Sequence, residues 1–275
     1  MARTNLSATR IKPETAELLT LRVLRRERIS PHFARVTLGG GEIDRFAPMG
    51  FDQWFRLVIP VSDTSLTWKP KKFNALALAR YLTMAKATRP VLRNYSVRAY
   101  RPDGPTGPEL DVDFVLHGSV ADGTAGPAAT WAQTCAEGDV VAILDEGIGF
   151  NPRSSLRRVL LVADESGLPA VAGVLASLPP DTRGTAVIEV PSTEDRQALS
   201  APAGVEVRWL VRDGGTPGQA ALAHARRMPL PDEPFYGWVV GESGLAVALR
   251  RHWVNAGVPK GDIMFCGYWK AGRAH

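Results

Sequence analysis

The sequence predicts an antiparallel β-barrel followed by an α/β domain with a parallel sheet. Three observations carry that prediction. The first half consists of short runs rich in β-branched and aromatic residues, punctuated by Gly, Pro and Asp clusters. The second half alternates apolar strands with helical stretches. The change of character falls near "GFNPRSSLRR" (149–158), which sets one domain over 1–153 and a second over 154–275.

Six runs in the first domain read as strands. They are "LTLRVLRRERIS" (19–30), "FARVTLGG" (33–40), "WFRLVIPV" (54–61), "NYSVRAYR" (94–101), "LDVDFVLHG" (110–118) and "DVVAILDE" (139–146). The fifth alternates cleanly, with Leu110, Val112, Phe114 and Leu116 on one face and Asp111, Asp113, Val115 and His117 on the other. Strands without regular intervening helices favour closure into a barrel. Two interruptions look helical, "ALALARYLTMAK" (75–86) and "GPAATWAQTC" (126–135). In the second domain "RVLLVAD" (158–164) is nearly all apolar, as a strand buried on both faces should be. "LPAVAGVLASL" (168–178) follows as a helix and "GTAVIEVP" (184–191) as the next strand. "VEVRWLVR", "QAALAHARRM", "YGWVVGES", "LAVALRRHWVNAG" and "IMFCGYW" continue strand, helix, strand, helix, strand to residue 269.

Composition narrows the function classes. With 45% hydrophobic and 22% charged residues, the 275-residue chain has the profile of an ordinary globular protein. No apolar run reaches the roughly 18–20 residues of a membrane span. The start lacks the apolar core of a secretory signal, so the expected location is cytoplasmic. Two distant cysteines, Cys135 and Cys266, offer neither a zinc site nor a disulfide framework. Net charge is +5, and 26 of the 33 basic residues are arginine, which favours phosphate and carboxylate partners. The basic residues are scattered, so nucleic acid is not the expected partner. The chain is expected to be a monomer. "GESGL" (241–245) puts Leu245 where a nucleophile elbow needs glycine, and a serine hydrolase is excluded on that ground.

The stretch "LRNYSVRAY" (92–100) carries unusual charge for a strand. Alternation places Arg93 and Tyr95 on one face and Ser96 on the other, unless the strand twists or bulges, and Arg98 is assigned to the face of Arg93 and Tyr95. In "GPAATWA" (126–132), Pro127 after Gly126 suits the first turn of a helix, whose N–H groups and dipole favour an anion. These two stretches, with "LDVDFVLHG", "LLVADESGLPAVAGVL" (160–175), "WVVGES" (238–243), "LRRHW" (249–253) and "GYWKAG" (267–272), stand in the order of a known family. The chain resembles the siderophore-interacting proteins, FAD-binding ferric-siderophore reductases among the ferredoxin-reductase-like flavoproteins. The likeness spans roughly residues 20–272.

The resemblance implies a Greek-key FAD-binding barrel, then a Rossmann-like, nicotinamide-binding-like domain with a C-terminal extension. It also implies roles. Arg93 contacts the FAD pyrophosphate, Tyr95 packs on the flavin, Ser96 sits by its reactive edge and Arg98 supports phosphate or ribityl. Val97, His117, Gly118, Gly126, Ala128, Ala129, Trp131 and Trp269 complete the cofactor-contacting set, with Trp131 equally readable as a core anchor. Lys72, Lys270 and Arg273, together with Lys69 and Lys71, are candidates for a basic rim that attracts an anionic ferric siderophore. No side-chain acid, base or nucleophile is required, and no metal is bound directly.

Two departures stand out. "VADESGLPAV" occupies the strand-to-helix turn of the second domain without a GxGxxG, and Asp164 and Glu165 bring negative charge where a dinucleotide pyrophosphate would lie. "DEGIGF" (145–150) replaces the Gly-Pro-rich turn that the family carries there. The electron donor therefore stays open among NADH, NADPH and reduced ferredoxin. Two alternatives share the fold: a general NAD(P)H- or ferredoxin-linked flavin oxidoreductase, and a siderophore-binding module without turnover.

Overall fold

The computed structural model describes residues 4–61, 75–85 and 87–272. They form two compact units. The barrel unit comprises the described residues of Lys12–Met49 and Gln53–Gly147; the α/β unit comprises those of Met1–Ile11, Gly50–Asp52 and Ile148–His275.

The barrel unit holds seven antiparallel strands: β1 (Leu18–Ser30), β2 (Phe33–Gly39), β3 (Trp54–Ile59), β4 (Val91–Ser96), β5 (Ala99–Gly104), β6 (Gly107–Val115) and β7 (Val140–Gly147). Their order is β4-β3-β7-β1-β2-β6-β5. Period-two alternation fills the interior. Leu19, Leu21 and Val23 of β1, Phe55 and Leu57 of β3, and Leu110, Val112 and Phe114 of β6 are buried in one cluster. Helix α2 (Ala75–Thr83) follows β3, and α3 (Pro127–Thr134) packs against β1, β2, β4 and β6.

The expected ring is not closed by strand pairing, and "NYSVRAYR" is two strands rather than one. Strands β4 and β5 are the two edges of the sheet, joined only by Val97 and Arg98. The Val97 N–H donates to the Gln53 carbonyl on the β3 side (2.8 Å), and the Arg98 N–H donates to the Asp111 carbonyl of β6 (2.9 Å). The covalent chain itself steps from one edge to the other. Because the pairing partner changes there, Arg98 does not inherit the face of Arg93 and Tyr95.

The outer face of β6 is acidic yet buried. Glu109, Asp111 and Asp113 are covered by arginines rather than by water. Arg25 grips Glu109 through two 2.8 Å bonds, and Arg101 bridges Glu109 and Asp111. Arg35 holds Asp113 at 2.6 and 2.9 Å, and the Thr37 hydroxyl donates to Asp111. Arg25, with Arg101, holds the Glu109 carboxyl down to about 2 against the cost of burial. Burial opposes the charge on Asp111, but Arg101 and Thr37 keep its carboxyl below the usual range.

The α/β unit alternates as expected. It contains β8 (Arg158–Ala163), α4 (Leu168–Ser177), β9 (Arg183–Val190), β10 (Gly204–Val211), α5 (Gln219–Arg227), β11 (Tyr236–Glu242), α6 (Ser243–Asn255) and β12 (Ile263–Trp269). The five parallel strands are ordered β10-β9-β8-β11-β12, so sheet growth reverses between β8 and β11. In such sheets that reversal marks where ligands bind, outside the carboxyl ends of the strands. Gly167 lets the turn after β8 pack tightly, since a Cβ there would lie 2.5 Å from Val240. The amino-terminal segment, with α1 (Leu6–Thr9), covers the outer edge of β12. The Asn5 side chain donates to the Ile263 carbonyl at 2.7 Å and accepts from the Phe265 N–H at 3.0 Å. Asp52 ties Gly50–Asp52 to the same unit, accepting from the N–H groups of Gly149 and Phe150 and from the Trp238 indole. Among the described residues, no helix is long and apolar enough to cross a membrane.

Candidate functional site

Strand β4 is an edge strand whose inner face continues the barrel core. Tyr95 lies opposite Phe55 and Arg93 opposite Leu57, so both side chains issue from the core-facing side. The Tyr95 ring packs on Phe114 of β6, with centroids 4.3 Å apart, and Phe114 in turn meets Trp131 of α3 at 5.6 Å. This aromatic row joins the charged strand to the helix. Trp131 thus has a packing role in this unit. Burial pushes the Tyr95 phenol well above its ordinary range, with nearby Arg93 opposing the shift. Arg93 donates to the Leu92 carbonyl at 2.7 Å, which directs its guanidinium along the strand. Ser96 points to the opposite side and is buried beside Trp54 of β3.

Helix α3 begins without a side-chain cap. Gly126 is its N-cap, Pro127 supplies the preset first turn, and no side chain bonds to the first N–H groups. Among the described residues, a Cβ on Gly126 would meet nothing within 4 Å. Ala128 and Ala129 follow with side chains too small to shield the backbone. The preceding loop holds itself in shape. Asp122 accepts from the N–H and hydroxyl of Thr124, and the Ser119 N–H donates to the Thr124 hydroxyl. Gly118 is required at its turn, since φ is +70° and a Cβ would sit 2.6 Å from the Thr124 carbonyl. His117 is exposed and lies beyond the end of β6, which stops at Val115.

Arg98 stands apart from this set. Its guanidinium faces Asp113 at 3.5 Å on the outer side of β6, in the arginine-carboxylate ladder. Burial lowers its pKa, Asp113 opposing, and the adjacent Arg35 adds to the lowering. The expected assignment to the face of Arg93 does not hold: an odd separation already opposes it, and at Val97 the chain leaves β3 to pair with β6.

In the α/β unit the carboxyl ends of the strands gather carboxylates. Asp164 ends β8 and is fully buried. It accepts from the Ser166 N–H (2.9 Å) and hydroxyl (2.5 Å), the Glu242 N–H (2.6 Å) and the Trp269 indole N–H (3.0 Å). Gly241 makes room, since a Cβ there would lie 2.5 Å from the Asp164 carboxyl carbon. Burial, reinforced by the charge of Glu165, raises the Asp164 carboxyl to about 7. Glu165 is matched by Arg212 through bonds of 2.7 and 2.9 Å. Glu189 at the end of β9 accepts from Arg212 and from the N–H groups of Gly218 and Ala221 at the start of α5. Glu242 caps α6 by accepting from Gly244 and Leu245.

Trp269 is therefore fixed within its own unit by Asp164, while its carbonyl accepts from the Ser243 hydroxyl at 2.6 Å. Lys270 is exposed beside it. Lys72 and Arg273, with Lys69 and Lys71, lie outside the described residues. Sequence reasoning missed Glu189, Arg212 and Glu242. A signal was present, because "VAD", "IEV" and "VGE" each close an apolar parallel strand with an acid.

Two family descriptions divide the chain between them. Residues 22–148 match the siderophore-interacting FAD-binding domain, and residues 156–272 match the siderophore-interacting protein domain. The chain belongs to the siderophore-interacting protein family. A solved structure of that family, SipS from Aeromonas hydrophila, is 30% identical, with TM-score 0.72 over 94% of each chain. Two curated relatives are 28% identical. The ferric vibriobactin reductase of Vibrio cholerae aligns over 91% of this chain and 88% of its own. The NADPH-dependent ferric-chelate reductase of Escherichia coli aligns over 91% and 92%.

Membership makes the protein a flavin oxidoreductase with FAD as its cofactor. The barrel unit fits that group. An uncapped helix start with small residues suits a pyrophosphate. Tyr95 and Trp131, both only partly buried, bring aromatic rings to the same unit.

Proposed function

We propose that the protein is an FAD-dependent ferric-siderophore reductase that releases iron as Fe(II) by single-electron steps. The observation carrying this reading is the aromatic row Tyr95–Phe114–Trp131, which sets the Arg93 strand beside the uncapped start of α3. The family relatives named as ferric reductases support the choice of substrate.

Once reduced by a two-electron donor, the bound flavin would supply two electrons, enough for two ferric ions held by hard oxygen chelators, which release Fe(II) more readily than Fe(III). The protein's residues bind and shelter. The N–H groups of Ala128 and Ala129 and the Arg93 guanidinium hold the pyrophosphate. Tyr95 lies against the ring system and excludes water from it, and Ser96 offers a hydroxyl at the reactive edge. Val97, His117 and Gly118 shape the strand end and loop that border the cofactor. Lys270 contributes to a basic approach for an anionic chelate.

The test is an absorption spectrum of the purified protein followed by anaerobic reduction with dithionite. The reduced protein is then mixed with a ferric tris-catecholate and a ferrozine-type Fe(II) trap. Flavin reoxidation with two Fe(II) trapped per flavin is the expected result. A protein that binds no FAD on titration ends the proposal, and chelate binding without trapped Fe(II) reduces it to a carrier.

A further inference from the structure

The strand order of the α/β unit is that of a dinucleotide-binding sheet, and a nicotinamide dinucleotide would rest its pyrophosphate on backbone N–H groups at the reversal between β8 and β11. Six of these groups are already bound within the chain. After β8, the Ser166 N–H is bound by the Asp164 side chain, the Gly167 N–H by the Asp164 carbonyl and the Leu168 N–H by the Glu165 carbonyl. Pro169 has none to give. After β11, the Glu242 N–H is bound by Asp164, and those of Gly244 and Leu245 by the Glu242 carboxylate. The acid at the end of the second strand of such a fold ordinarily reads a ribose. Here that acid, Glu189, is consumed by Arg212, Gly218 and Ala221.

The chain's own carboxyl-terminal segment completes the occupation. Trp269 donates its indole N–H to Asp164, and the Ala271 N–H donates to the second oxygen of Glu242 at 3.3 Å. A pyrophosphate arriving here would meet filled donors and the carboxylates that fill them. The residues present do not fit a dinucleotide anchored at this point.

We propose that Asp164 and Glu242 are specificity residues that exclude a nicotinamide dinucleotide from the switch point of the α/β unit, so that electrons are not delivered by NADH or NADPH anchored there through pyrophosphate. The inference rests on the flavin-reductase reading and narrows its donor.

The test uses FAD-saturated protein and the oxidised dinucleotides NAD+ and NADP+ as probes in titration calorimetry. Wild-type protein is expected to show no saturable binding below ~1 mM. The paired change Asp164→Asn and Glu242→Gln keeps both shapes while removing both ionisable carboxyls, and is expected to tighten binding about tenfold or more. A merely structural role would yield no gain. Saturable wild-type binding in the low micromolar range overturns the proposal, as does a folded, FAD-loaded double variant without any gain. If the double variant fails to fold, Glu242→Gln alone and the wild-type titration decide. Flavin content and iron release after dithionite reduction are read on the same samples. Their loss in the wild-type protein strikes the functional reading, whereas saturable dinucleotide binding by the wild-type protein with both intact strikes this inference alone.

Discussion

The two units treat the same pair of chemical groups in opposite ways. In the barrel unit the carboxylates of β6 are matched by arginines on the outer face, and the start of α3 is left without a cap. In the α/β unit the carboxylates are turned into the backbone, and the turns after β8 and β11 are filled. A helix start is an anion site only while no internal acid occupies it. The contrast teaches that strand order alone does not tell which unit receives a phosphate. The distribution of a few acids does.

The largest expected effect comes from removing the cation on the open side. Arg93→Ala should weaken FAD binding about 100-fold, the scale of a lost charge-assisted contact in a desolvated site. Fluorescence titration of flavin-stripped protein measures it. An unchanged affinity would remove Arg93 from the phosphate site. Next in size is a change that makes the barrel unit imitate the other one. Gly126→Asp is sterically allowed, because φ is −66° and a Cβ meets nothing within 4 Å. The new carboxylate should cap α3 and raise thermal stability by a few tenths of a kcal/mol. It should also cost about tenfold in FAD affinity by occupying the anion position. Stability and affinity moving in the same direction would count against the contrast.

Much of this arrangement was legible in the sequence, and the failures share a cause. Leu110, Val112 and Phe114 announce a half-buried strand because alternation is local, and "RVLLVA" announces a strand buried on both faces for the same reason. "RNYS" and "GPAATWA" could be singled out because each carries its chemistry within a few residues. What was hidden depends on distant partners. Nothing near Val97 signals that the chain changes from β3 to β6, so two strands were read as one. Asp164 was read as charge facing a ligand, because Trp269, its indole donor, is 105 positions away. Asp52 carried no signal, its indole partner Trp238 being 186 positions distant.

The last prediction separates the two kinds of carboxylate by pH. Glu109 is held down to about 2 from an ordinary 4.5, so its contribution is full above the ordinary value and fades as pH falls from 4.5 toward 2. Asp111 acts in the same sense. Asp164 is raised from 3.8 to about 7, so the folded state takes up its proton more readily than the unfolded chain. Its effect on stability runs the other way, most favourable below 3.8 and lost as pH rises through 7. The groups around Asp164 are Glu165 from its own turn, the Glu242 N–H from β11 and the Trp269 indole from β12, with Arg212 balancing Glu165. Each pH unit inside a window moves stability by at most about 1.4 kcal/mol per group. Hydrogen-exchange protection factors should therefore rise at Ser166 and Glu242 between pH 7.5 and 5 while those of β6 hold steady. Below pH 4.5 the β6 amides should lose protection. Asp164→Asn should abolish the first change and leave the second, and a common response of both regions would show that their carboxylates do not differ as the geometry requires.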